Sequence, residues 1–138
     1  MVPWSVVRKK LWVERLRLAE LFLGEVTANQ TDLMEGRLLS EKVFGVAKGA
    51  DQLELFSEEL SRLVVKTYDK VATINDALVK YQKFRSSFAG DPEYEKKSAE
   101  FQQFLAWYRG GLSSSLQYLA ERLKEELAQK PEEDVFTP

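Results

Sequence analysis

The chain contains neither cysteine nor histidine. Without cysteine there are no disulfides, thiolate zinc sites, iron–sulfur clusters or thiol nucleophiles. Without histidine there are no Ser-His triads, no Glu-x-x-His di-iron motifs and no imidazole-ligated haem. Most of the chemistry that helical bundles carry is thereby closed, so the expectation is a non-enzyme with no cofactor and no metal. Carboxylates alone could hold a cation, but Glu58–Glu59, Glu93/Glu95 and Glu125–Glu126 read more simply as solvated helix surface.

Other scarcities narrow the fold. Only 4 prolines and 7 glycines occur in 138 residues, too few for many short strands joined by turns. No excess of one charge exists either: 20 basic against 22 acidic side chains leave −2, which gives nucleic acid no reason to bind. Long apolar runs are missing. Arg8, Lys9, Lys10, Glu14, Arg15, Arg17 and Glu20 interrupt positions 1–26, so neither a bilayer span nor the uncharged core of a secretory signal is found there. An intracellular location is the expectation, cytoplasmic in the first instance. Gly45, Gly49 and Gly110-Gly111 lack the Lys-Ser/Thr that would make a phosphate-binding loop.

What is present is helical text. A 44% hydrophobic, 30% charged chain of this length supports one core. The expected architecture is an all-α antiparallel bundle of three long or four unequal helices over residues 1–130, followed by an acidic tail over 131–138. Its clearest segment is 51–88, where Asp51 and Glu54 have capping-box spacing. Leu53, Phe56, Leu60, Leu63, Ile74, Ala77, Tyr81, Phe84 and Phe88 then recur at steps of three and four, widened by Val64, Val71 and Leu78. Thr67 and Lys70 fall on the seam, beside Asn75; they either set register or mark a local widening of the stripe onto Val71.

At Ala89-Gly90-Asp91-Pro92 the pattern stops. Gly90 can take a left-handed conformation, Asp91 can cap, and Pro92 suits a first helical turn, which predicts a tight corner. The next stripe, Tyr94, Phe101, Leu105, Tyr108, Leu112, Leu116, Leu119, Leu123 and Leu127, is nearly as long. Two long helices with a short corner form an antiparallel hairpin. Gly110-Gly111 inside the second helix implies a bend or packing point, or else a hinge or a close partner backbone. In the N-terminal third the spacing predicts helices over 4–26 and 32–48, the second capped by Asp32 and ended by Gly49; one long helix kinked near 27–31 is the competing description.

Function is expected to lie in contacts rather than catalysis. The first reading is a helical interaction module, a scaffold, adaptor or chaperone that meets a protein partner or another copy of itself as a homodimer. Tyr68, Trp107 and Tyr118 fall outside the main stripes and are expected to be exposed, and Trp107 is the preferred interface anchor because it points away from Phe101, Leu105 and Tyr108. The alternative is a peripheral binder of anionic membranes acting through the N-terminal helix, where Trp4 and Trp12 sit about 80° apart around the axis beside Arg8, Lys9 and Lys10. Those two tryptophans could equally belong to the bundle's own core. The two ends of the chain differ in sign. Five basic against two acidic side chains give residues 8–20 an excess of three, whereas three basic against six acidic leave residues 121–134 three negative.

Overall fold

A computed structural model of the protein describes residues 3–129. Among these residues four α-helices and one 3-10 turn form an all-α bundle with no strand: α1 Trp4–Met34, α2 Lys42–Gly49, the 3-10 turn Gln52–Leu55, α3 Glu58–Ser87 and α4 Tyr94–Ala128. The bundle thus has three long helices and one short one. Residues 131–138, expected to be an acidic tail, lie outside the described residues.

The hairpin of α3 and α4 forms where the stripes placed it. Phe88 follows the end of α3, and Asp91 Oδ1 accepts from the Glu93 amide at 2.7 Å just before α4 begins. Gly90 is not left-handed, however; the one glycine with positive φ is Gly36, at 72°, just after α1. The start of α3 also differs from expectation. Ser57, not Asp51, is the cap, its Oγ accepting from the Leu60 amide at 3.2 Å. Asp51 instead adopts φ 54°, ψ 27° and turns the chain into the 3-10 segment. It stands six residues before Ser57, too early in the chain to meet the free amides of α3.

The N-terminal third is one uninterrupted helix to Met34, so the break expected at 27–31 falls at 35–41 instead. Thr27 through Asp32 are polar, but Asn29 is fully buried and Leu33 nearly so; tertiary contacts continue the helix where local text turns polar. Asp32, expected as a cap, accepts from Arg37 Nε at 3.0 Å at the helix end.

Cross-helix contacts set the register. Arg15 Nε lies 3.0 Å from Glu126 Oε1, an ion pair misaligned for a hydrogen bond, and Gly36 approaches the Arg109 guanidinium, so α1 and α4 are antiparallel. Lys70 Nζ donates to Ser115 Oγ at 2.8 Å, and the Tyr81 hydroxyl meets Ser98 Oγ at 3.1 Å, so α3 and α4 are antiparallel too. Helices α1 and α3 therefore run parallel, and residues 35–57 must carry the chain back between them.

That return segment is built into the core. Val26, Val64, Val71, Ile74, Leu116, Leu119 and Leu123 are completely buried between the three long helices. Phe44 of α2 stacks on Tyr68 at 4.7 Å between ring centroids, and Phe22 of α1 meets the same ring edge-on at 5.7 Å. Tyr68 is 1% exposed, which overturns its expected place on the surface. Thr67 is buried with it and returns its hydroxyl to the Leu63 carbonyl at 2.8 Å, so the stripe widens across Thr67, Tyr68 and Val71 rather than narrowing to a seam.

Candidate interaction surfaces

The helices are staggered, and the stagger creates two uncovered ends. Helix α1 stops near the level of Arg109, leaving the first half of α4 and the last third of α3 as a two-helix arm. Burial changes at the same level. Leu78 is the last buried residue of α3 and Leu105 the first of α4. At the other end α4 finishes at Ala128, little beyond the Arg15–Glu126 pair, and no residue of α1 before Leu18 is buried.

The arm is held by aromatic rings. Phe84 stacks on Tyr94 at 5.4 Å and touches Phe101 at 5.5 Å, while Tyr81 meets Phe101 at 5.6 Å. A third helix would normally cover such a pair, and among the described residues none does. Phe88 and Phe104 are more than two-fifths exposed beside an open groove of about 430 Å³. Along the outer side of α4, Phe104, Trp107, Gly111 and Tyr118 fall within about 60° of one another at the helical period. Trp107 is 74% exposed; its ring leans edge-on to Tyr108 and borders a groove of about 250 Å³ that reaches Lys70, Gly111 and Leu112.

Gly110 and Gly111 sit inside continuous α4, with no side chain or foreign backbone within 4 Å of where a Cβ would be. Neither glycine is required by packing within this chain. Ser114 and Ser115 return their hydroxyls to the Gly110 and Gly111 carbonyls at 3.3 and 3.2 Å, so the surface beside Trp107 is low and locally satisfied.

The other candidates lie at the far end. Trp4, Arg8, Lys9 and Lys10 are exposed on the first turns of α1, whereas Trp12 is half-buried. Arg8 places its guanidinium 5.0 Å from the Trp4 ring centre, a cation–π contact in solvent. Trp4 is thus at the surface and Trp12 partly covered. Trp107 is on the arm beyond the opposite end, so the structure does not bring it together with the N-terminal residues.

A third feature escaped sequence reasoning altogether. Glu25 is 8% exposed and accepts three hydrogen bonds, from the Tyr68 hydroxyl at 2.6 Å, Ser40 Oγ at 2.8 Å and the Val43 amide at 2.9 Å. Asn29 exchanges two bonds with the Ser40 backbone, and Asn75 exchanges two with the Leu39 backbone. Burial first, then the bond to Glu25, raises the pKa of the Tyr68 hydroxyl far above the ordinary tyrosine value. The polar groups of this cluster bond to one another and to the backbone of residues 39, 40 and 43, and so fasten that segment. A lone Glu on the apolar side of α1 was the available signal.

Among the described residues no three acidic side chains converge as metal ligands, and no helix is long and apolar enough to cross a membrane. No protein-family model, no curated protein and no solved structure matches the chain.

Proposed function

We propose that this protein is a non-enzymatic helical interaction module whose working surface is the outer side of α4, and that its first partner is a second copy of the chain. The observation that carries this reading is Trp107, 74% exposed between Phe104 and Tyr118 on one helix face. Large aromatic side chains gathered on an uncovered helix are costly in water and are the side chains most enriched at interface hot spots. Gly111 and the neighbouring serines would let a facing helix approach closely. Two arms laid antiparallel would complete the four-helix cross-section that one arm lacks, through a self-complementary twofold contact.

Sedimentation equilibrium from low to high micromolar concentration tests the proposal. A dimer is expected, and Trp107→Ala should return it to monomer without loss of helicity. A monomer at every concentration removes the second copy as the partner.

The exposure of Trp4 beside Arg8, Lys9 and Lys10 favours a second reading, in which the start of α1 rests on an anionic membrane. Co-sedimentation with phosphatidylserine vesicles, abolished by salt and by Trp4→Ala, would support it; indifference to the vesicles would discard it.

A further inference from the structure

The first turns of α1 continue the very stripe that α4 covers further along. At 100° per residue Trp4 and Leu11 align with Leu18, Phe22 and Leu33, and Arg8 aligns with Arg15 and Val26. Leu18, Phe22, Val26 and Leu33 are buried, whereas Trp4 is 62% and Leu11 44% exposed. The difference arises because α4 ends at Ala128 while α1 runs on from Arg15 for another eleven residues, about 16 Å.

We infer that this uncovered stripe is a docking surface for the chain's own residues 130–138. Three observations select that occupant. Position is the first: those residues follow directly from α4, at the level where the stripe becomes bare. An extended chain covers about 3.3 Å per residue, so the seven steps from Gln129 to Phe136 span about 23 Å and reach past Trp4. Charge is the second. Glu132, Glu133 and Asp134 would meet Arg8 beside the stripe, and Arg15, next along it, already binds a carboxylate of the same strand of sequence, Glu126. Apolar content is the third, since Val135 and Phe136 match Leu11 and Trp4. Charge-assisted contacts around an aromatic anchor are a common way for a short acidic segment to hold a helix. The contact is independent of the α4 surface, which lies at the other end of the bundle.

The absence of cysteine gives the test its specificity. A nitroxide attached at Thr137→Cys in the full chain should strip most of the amide signal intensity from residues 4–12 and leave the arm, residues 80–104, unaffected. Reversing Glu132, Glu133 and Asp134 to Lys should restore those signals, and adding Arg8→Glu to that variant should strip them again. Broadening seen only when spin-labelled chain is mixed with unlabelled isotopic chain would assign the surface to a second copy and overturn the proposal. So would unchanged signals at residues 4–12, whether or not phosphatidylserine vesicles then bind there in a manner that Arg8→Glu abolishes.

Discussion

The Tyr68 hydroxyl donates to Glu25 Oε1 at 2.6 Å, joining the two parallel helices α3 and α1 across the segment that connects them. The two residues are 43 positions apart, and the same carboxylate also accepts from Ser40 and Val43. One buried carboxyl group therefore fastens three stretches of chain. Removing a single donor leaves a largely buried carboxylate under-satisfied.

Tyr68→Phe keeps the ring between Phe22 and Phe44 and deletes only that donor, so it should cost about 1–3 kcal/mol in denaturant unfolding. It should also change the alkaline limb. Burial raises the folded-state pKa of the hydroxyl, so folding favours the protonated form. The stability it contributes is complete below the unfolded value near 10.0 and is lost as pH rises beyond it, because the unfolded chain then ionises and the folded one resists. Unfolding followed from pH 8 to 11 should show a steeper decline in the parent than in Tyr68→Phe; equal slopes would contradict the assignment.

Asn29 and Asn75 each pair with both backbone groups of one residue in the return segment, Ser40 and Leu39 respectively. Asn29→Ala should destabilise by about 1–3 kcal/mol, since Asn29 is fully buried and its loss strands two backbone groups. Asn75→Ala should cost less, water having access to its half-exposed side chain. Hydrogen exchange at Leu39 and Ser40 reads both directly: the Leu39 amide should lose protection in Asn75→Ala and the Ser40 amide in Asn29→Ala.

Ser57→Ala removes the cap of α3 and should cost about 1 kcal/mol. Asp51→Gly should be neutral or stabilising, because φ 54° is strained for aspartate and free for glycine. Thermal unfolding of the two variants distinguishes the caps: a larger loss at Asp51 than at Ser57 would restore the capping box to position 51.

Gly110→Ala and Gly111→Ala should each raise monomer stability by about 0.5–1 kcal/mol, as both lie inside a helix with open space at Cβ. If a second α4 approaches at Gly111, that variant should also weaken the dimer, whereas Gly110→Ala, about 100° around the axis, should weaken it less. Stability and association measured together on the same two proteins check this.

The length and apolar stripes of α3 and α4, and the corner between them, were legible in the residues because period and punctuation are local properties: Leu105, Leu112, Leu116, Leu119 and Leu123 are buried wherever a helix of that spacing meets any partner. The missing cysteine and histidine likewise excluded whole classes of chemistry without reference to shape. Trp107, too, was identified by its angle from the stripe, and its exposure follows from that angle and from the absence of a third helix at its level. Tertiary structure alone decided the rest. Polar text at Thr27–Asp32 reads as a break, yet Asn29 is satisfied by Ser40 and the helix continues through it. Tyr68 lies off the heptad seam, yet the segment that returns between two parallel helices brings Phe44 and Glu25 to it and buries it. The stagger that leaves α1 bare at one end and the arm bare at the other is a relation between helices of 31, 30 and 35 residues. Helical periodicity specifies which side of a helix is apolar; how far one helix slides along another depends on side chains that meet only after folding, such as Arg15 and Glu126.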